Sequence, residues 1–226
     1  MKQLSEKELI WSPVVANNRM NRKRNASGIN SYEQELPFNP ETFLDEQLAQ
    51  RGHARWLDLC CGEGNALLQY ARRQAASGQQ ERMLLHGVDL VDAFQPIPER
   101  ITCLQLETGS LVSRPFTEQY DLVTCIHGLH YIGDKLQVLF SALKAIAPHG
   151  RFLANLDLKN IVMEGDPENR QLKQLFRANR IEYNARKHII VCNGPREVTH
   201  PFSYLGANDA AGANYTGQEV VDSYYD

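Results

Sequence analysis

Long apolar runs are scarce in this sequence of 226 residues, and positive charges are not in excess over negative ones. No stretch approaches the roughly 18 consecutive apolar residues of a membrane-spanning helix, and the opening MKQLSEKELIW carries charges where a signal peptide has its apolar segment. The formal net charge is -3, whereas proteins that bind phosphate backbones usually carry a basic excess. We therefore expect a cytoplasmic protein with small-molecule partners, without a membrane or nucleic-acid partner.

Cysteine is present but in a pattern that does not favour disulfides. The five cysteines are an odd number, and Cys60 and Cys61 are adjacent within an apolar run. We expect buried, reduced thiols. His127 and His130 are three residues apart, yet the sequence places no third and fourth ligand beside them, so no metal site is expected. No pattern predicts an oligomeric state.

The composition is that of one ordinary domain. Hydrophobic residues make up 42% of the chain and charged residues 23%, which is enough to build a core. Residues 1–38 lack sustained periodicity and are interpreted as an irregular N-terminal arm or lid. The regular domain is predicted over residues 39–226, starting with a helix that Asn39 caps and that ends near Gly52.

Apolar runs alternate with helical patterns along the rest of the chain, which favours a parallel sheet with helices on both faces. Two further helices are predicted after the caps Asp134 and Asp166, the first of them stopped by Pro148. The last two strands, 181–193 and 198–205, are predicted to pair around Gly194, and 206–217 to form a surface loop. The earlier elements are strands at 56–61, 83–90, 101–106, 120–126 and 150–156 and a helix at 66–74.

The most informative segment is WLDLCCGEGNALL, which places Asp58 in the first strand and Gly62 and Gly64 in the turn before a helix. Glycines allow backbone N–H groups to approach a ligand closely, and a helix N-terminus favours an anionic group. A pyrophosphate would be repelled by Glu63 in this turn, which argues against a nicotinamide oxidoreductase. A carboxylate is the better match.

A second acidic residue, Asp89, ends the next strand about 30 residues later. An acid in this position can accept hydrogen bonds from both hydroxyl groups of a ribose. A nucleoside that also carries an amino-acid tail matches both ends of such a site. The segments 120–134 and 143–157 add polar groups at further strand ends.

In these motifs and their order, from about residue 56 to 157, the sequence resembles class I S-adenosylmethionine-dependent methyltransferases of the small-molecule type. The resemblance implies a Rossmann-like, mostly parallel seven-stranded sheet with helices on both faces and a C-terminal antiparallel hairpin. It implies S-adenosylmethionine as cofactor and S-adenosylhomocysteine as product. Cys60 replaces the first glycine of the family pattern, and Ser110 follows Gly109 where the family commonly has an acid. The implied cofactor-binding residues are Asp58, Cys60, Gly62, Gly64, Asp89, Leu90, Gly109, Ser110, Cys125 and Ile126.

Two histidines are candidate general bases. His127 and His130 follow the fourth strand, where a side chain faces the methyl group of the donor in the family, and histidine can be neutral at pH 7. The alternative is a structural histidine at a strand end, and His127 is the preferred base. Asp157 and Tyr32 are candidate substrate-binding residues, with a surface-loop acid and a packing role as their alternatives.

The arm carries a basic cluster that includes Arg19 and Arg22. It can be a solvated loop, an RNA-binding or localisation signal, or a lid in which an arginine binds a carboxylate of the methyl acceptor. The resemblance favours the lid.

We therefore predict an enzyme that methylates an oxygen or nitrogen of a small molecule, a metabolite or natural product. RNA or protein methylation on the same fold is one alternative. A non-catalytic module that binds S-adenosylmethionine is another.

Overall fold

The computed structural model describes residues 4–16 and 23–226. Across these residues ten strands form two sheets, one of seven strands and one of three. The strands are β1 (Ala54–Leu59), β2 (Met83–Asp89), β3 (Leu104–Thr108), β4 (Tyr120–Cys125), β5 (Ile146–Asn155), β6 (Ile161–Met163), β7 (Glu182–Asn184), β8 (Ile189–Asn193), β9 (Tyr204–Asn208) and β10 (Asp222–Tyr225).

The large sheet has the order β3-β2-β1-β4-β5-β8-β7. Strands β1 to β5 pair in parallel, and β8 runs antiparallel to both β5 and β7. The strand order reverses between β1 and β4, and ligands of open α/β sheets bind at the carboxyl ends of the strands at such a reversal. The predicted Rossmann-like fold with a late antiparallel hairpin is confirmed.

Capping residues set the ends of the main helices. The Asn39 side chain accepts a hydrogen bond from Thr42 N–H, and the helix that follows ends at Gly52 in a left-handed conformation, as predicted. Asp134 caps the helix before β5 in the same way. The helices are α1 (Glu6–Leu9), α2 (Pro13–Ala16), α3 (Tyr32–Glu35), α4 (Pro40–Arg51), α5 (Asn65–Ala76), α6 (Lys135–Lys144) and α7 (Arg170–Ala178).

The central strands are buried on both faces, which explains why they appear in the sequence as continuous apolar runs. On one face Trp56 of β1 is wholly buried and packs edge to face against Tyr32 of α3 and Tyr70 of α5. On the other face Leu57 packs in a second cluster with residues of α6 such as Leu139. Helix α3, which lies within the predicted arm, is therefore part of the core.

The predicted pairing of 181–193 with 198–205 is wrong. The first segment folds back on itself as the β7–β8 hairpin, whose turn is stabilised by the Asn184 side chain accepting hydrogen bonds from Arg186 and Lys187 N–H. Strand β9 pairs instead with β10, in the small sheet β6-β10-β9. The predicted surface loop at 206–217 thus begins inside a strand.

Several element boundaries also differ from their prediction. The last helix begins at Arg170, after Asn169 in a left-handed conformation, and Asp166 accepts a hydrogen bond from Gln171 N–H from outside the helix. The third strand begins at Leu104. Pro148 does not stop α6 but lies within β5, where the register to β4 shifts, the place in a sheet where proline is tolerated.

The small sheet is tied to the start of α6 by a buried lysine. Lys135 is 0% exposed, and its ammonium group donates to Val221 C=O at 2.7 Å and to Ser223 Oγ at 2.8 Å. These bonds compensate for the cost of burying a charged group. In the described part of the chain, no helix is both long and apolar enough to cross a membrane.

Candidate active site

A cleft lies at the carboxyl ends of the central strands, where the strand order reverses. The space inside it, including the open mouth, is about 770 Å³. Its walls combine the ends of β1, β2, β3 and β4 with one residue of α2. The lining residues are Val15, Cys60, Gly62, Asp89, Leu90, Val91, Gly109, Ser110, Leu111, Val112, Ile126, His127, Gly128, Tyr131 and Ile132.

The turn between β1 and α5 has an unusual backbone. Cys60, Gly62 and Gly64 all have positive φ, at 55°, 61° and 75°. Cys60, which replaces a glycine of the family pattern, therefore has the backbone conformation that favours glycine. The side chain of Cys60 is accommodated because Gly128 faces it: a Cβ on Gly128 would lie 2.3 Å from the Cβ of Cys60.

Asp89 connects the end of β2 to this turn. Its Oδ2 accepts a hydrogen bond from Gly62 N–H at 2.8 Å, and its Oδ1 accepts one from Val91 N–H at 3.0 Å. Gly109 N–H in turn donates to the Asp89 carbonyl. The carboxylate therefore lies in the cleft wall in a fixed orientation beside two backbone N–H groups.

The remaining wall is mostly apolar, and many of its residues were not predicted from the sequence. Several lining residues come one or two positions after a predicted site residue: Val91, Leu111, Val112, Gly128 and Ile132. Their position after strand ends was a usable signal, because the loops at the carboxyl edge form the site in this fold. Tyr131 carried the same signal, and Val15 did not.

His127 lies in the cleft wall against the N-terminal segment. It has a left-handed backbone (φ 61°), its N–H donates to Asn155 Oδ1, and its side chain is buried. Nε2 of His127 lies 3.2 Å from Oε2 of Glu35, and the other carboxylate oxygen of Glu35 accepts a hydrogen bond from Arg24 at 3.0 Å. The neighbouring His127 imidazole, followed by Arg24, lowers the pKa of Glu35 to about 2 against the opposing effect of burial. No pattern in the sequence had indicated Glu35.

Asp58 lies behind the turn and does not line the cleft. It is 0% exposed, and its two oxygens accept hydrogen bonds from Tyr32 Oη at 2.8 Å and Thr124 Oγ1 at 2.6 Å. Burial raises the pKa of Asp58 to about 7, although both hydroxyl groups favour the charged form. Tyr32, a candidate for substrate contact, is instead directed at Asp58, and burial raises its pKa well above the usual value.

His130 is also outside the cleft wall. It is 0% exposed, its Nε2 accepts a hydrogen bond from Asp157 N–H at 3.2 Å, and burial lowers its pKa well below the usual value. Asp157 is buried and caps a short turn through Lys159 N–H. The position of His130 therefore matches the alternative to a general base, a structural histidine near a strand end.

The other predicted site residues also fall into two groups, those that line the cleft and those that do not. Cys60, Gly62, Asp89, Leu90, Gly109, Ser110 and Ile126 line the cleft, whereas Gly64 and Cys125 lie behind it. Gly64 precedes α5, and a Cβ there would lie 2.8 Å from Leu106. Arg19 and Arg22 lie outside the described residues. Within 4–16 and 23–226, no group of three or more His, Cys, Asp and Glu side chains could hold a metal ion.

Comparison with known proteins adds a family to this geometry. The family described as "Methyltransferase domain" matches residues 30–196. The chain is 31% identical over 102 residues to the demethylmenaquinone methyltransferase of Lactobacillus johnsonii (42% of this chain, 40% of the relative). It is 28% identical over 119 residues to that of Lactiplantibacillus plantarum (51% and 49%). It thus spans less than half the length of these relatives. A solved methyltransferase from Thiobacillus denitrificans with S-adenosylhomocysteine is 19% identical, with coverage of 68% and 56% and a TM-score of 0.37.

Proposed function

Because this chain belongs to the methyltransferase domain family, we propose that it is an enzyme that transfers a methyl group from S-adenosylmethionine to an oxygen or nitrogen of a small molecule. The observation that carries the proposal is the Gly62–Asp89 pair, which joins the glycine-containing turn of β1 to the acid ending β2 within one cleft. Such a cleft has a polar and an apolar part, as a nucleoside with an amino-acid tail does.

The residues of the cleft fit this donor. Asp89 would accept hydrogen bonds from ribose hydroxyl groups, and the backbone at Gly62 leaves room for the carboxylate of the donor near the start of α5. The apolar residues Leu90, Leu111 and Val112 offer a slot for a flat base, and the hydroxyl of Ser110 can contact its amine. For Asp58, Gly64 and Cys125 we propose that they support this wall from behind.

The bound donor supplies an electrophilic methyl group, so the protein mainly has to align the acceptor and exclude water. Orientation can contribute roughly 7 to 11 kcal/mol, whereas a general base contributes about 10² to 10⁴ in rate. We assign that base to His127, which lines the cleft and which Glu35 holds at 3.2 Å. Arg19 and Arg22 remain proposed acceptor-side residues through the lid. For Tyr32, which is directed at Asp58, and for the buried Asp157 we propose that they position the acceptor side from behind.

Calorimetric titration with S-adenosylmethionine tests the donor site. Asp89→Ala should lose at least tenfold in affinity because the ribose loses its acceptor and Gly62 N–H loses its partner. Gly62→Val should abolish binding because a branched side chain is strained at a φ of 61°. Asp92→Ala, an exposed acid three residues beyond Asp89, is the matched control and should bind as wild type does. Wild-type affinity in both cleft variants would contradict the proposal.

Mass spectrometry of cell extract incubated with protein and donor separates the alternatives. A methylated small molecule supports the proposal, whereas methylated RNA or protein would reassign the acceptor. Tight binding of S-adenosylmethionine without any formation of S-adenosylhomocysteine would indicate a non-catalytic binding module. We also propose a cytoplasmic location, which the five free thiols, all within the described residues, support.

A further inference from the structure

Four rings, those of His127, His130, His188 and Tyr215, meet beside the cleft, and His127 is the one that lines it. The Tyr215 ring stacks on His188, with centroids 3.9 Å apart and planes 7° from parallel. The same ring meets His130 edge to face at 5.6 Å and lies 6.5 Å from His127. One flat ring thus lies against three histidines.

The ring that fills this space comes from a surface loop, not from the core. We call residues 210–219 the Tyr215 loop. Its backbone hydrogen bonds include Asn214 N–H to Gln218 C=O and Val220 N–H to Gly212 C=O, so they hold the loop to itself. Tyr215 keeps 43% of its surface exposed, and ideal Cβ atoms on Gly212 and Gly217 would meet no atom within 4 Å. An acceptor ring that enters this space has to displace the Tyr215 ring.

Polar groups around the ring have capacity for further hydrogen bonds. Nδ1 of His130, a residue that is 0% exposed, has no hydrogen-bond partner, and neither does Nδ1 of His127. Nδ1 of His188 has only Asp157 Oδ1 at 3.6 Å. Burial, followed by the charge of Glu35, raises the pKa of the Tyr215 hydroxyl, and the Asn155 side chain opposes this shift. Buried polar atoms without partners usually mark a missing water or ligand.

We propose that Tyr215 occupies the subsite of the methyl acceptor and that this subsite takes a planar aromatic ring bearing a hydroxyl group. The inference rests on the proposed function and names its substrate class. His127 is the link between the two halves, because it lines the cleft and also contacts the Tyr215 ring. In the transfer, the acceptor oxygen bonds to the methyl carbon, the carbon–sulfur bond breaks with its electrons remaining on sulfur, and the hydroxyl proton passes to His127.

Ligand-observed NMR with phenol tests the subsite on protein loaded with S-adenosylhomocysteine. Tyr215→Ala should bind phenol at least tenfold more tightly than wild type, because the competing ring is gone while His188 remains. Tyr215→Phe keeps the ring and should leave phenol affinity as in wild type. Cyclohexanol, a nonaromatic ring of the same size, should gain less than twofold in Tyr215→Ala. The double variant Tyr215→Ala/His188→Ala should lose most of the gain in phenol affinity.

The outcomes separate this inference from the proposed function. Calorimetric S-adenosylhomocysteine binding with no gain for phenol in Tyr215→Ala would overturn the aromatic subsite alone. Equal gains for phenol and cyclohexanol would also overturn it, since they would show an unspecific cavity. Failure of the wild-type protein to bind S-adenosylhomocysteine would overturn the donor proposal instead. A thermal unfolding curve like that of wild type shows that each variant is folded.

Discussion

At the residue scale, the site depends on a pair in which one residue is strained and its neighbour is small. Cys60 occupies a left-handed conformation that costs a non-glycine residue on the order of 1 kcal/mol. Its side chain projects against Gly128, where a Cβ would lie 2.3 Å from the Cβ of Cys60 and 2.7 Å from its sulfur. The missing glycine of the first turn is thus compensated by a glycine after β4.

This pairing makes Gly128→Ala destabilising in a way that a second substitution should relieve. We expect Gly128→Ala to lose roughly 1 to 3 kcal/mol of unfolding free energy from overpacking. Cys60→Gly/Gly128→Ala should recover at least half of this loss, because the closest two contacts are gone and only the sulfur of Cys125, at 2.9 Å, remains. Urea denaturation of both variants and of Cys60→Gly alone completes the cycle. Additive effects would show that the two positions are independent.

At the element scale, α3 is fastened to the sheet by a buried hydrogen-bond chain. Trp56 Nε1 donates to Thr124 Oγ1 at 2.8 Å, Thr124 donates to Asp58, and Tyr32 of α3 donates to the other oxygen of Asp58. Glu35, one turn further along α3, contacts His127. The division into an arm of 1–38 and a domain of 39–226 stays a prediction, although Tyr32 of α3 is buried against Trp56 of β1.

The carboxyl group of Asp58 should make stability depend on pH. In the folded protein it keeps its proton to about pH 7, whereas the usual pKa is 3.8. The folded state therefore binds more protons than the unfolded state between these values, and stability falls as pH rises across the window, by on the order of 4 kcal/mol at most.

Asp58→Asn removes this titration while its amide oxygen can still accept the Thr124 hydrogen bond. Urea denaturation at pH 5 and pH 8 should show a clearly larger loss for wild type than for Asp58→Asn. Taking the difference between the two proteins cancels the titration of all other groups. Parallel pH profiles would contradict a buried, protonated Asp58.

Much of the large sheet could be predicted because its signals are local. The run around Trp56 is apolar since both faces of β1 are buried, and Asn39 and Asp134 are standard caps. The pairing of β9 with β10 could not be predicted, because it depends on contacts between distant segments with little apolar periodicity. Glu35 and Tyr215 were missed for the same reason: only the folded chain brings them to His127.

At the scale of the whole molecule, the charge distribution favours a small acceptor. The net charge is -3, and binding to a phosphate backbone relies on released counterions and hence on clustered basic residues. We expect that the protein retains no measurable single-stranded RNA in a filter-binding assay at about 0.1 M salt. Retention that falls steeply with added salt would instead favour RNA as the acceptor.

The antiparallel direction of β8 brings its first residues to the rim formed by the last residues of the parallel strands. His188, just before β8, can therefore face His127, just after β4, although 60 positions of chain separate them. One consequence concerns divergence and redesign. The part of the rim proposed to bind the nucleoside comes from residues 60 to 112, whereas the histidine-lined part comes from residue 127 onward. Substitutions in the second part can therefore change the selectivity for the acceptor while the proposed donor-binding residues stay the same.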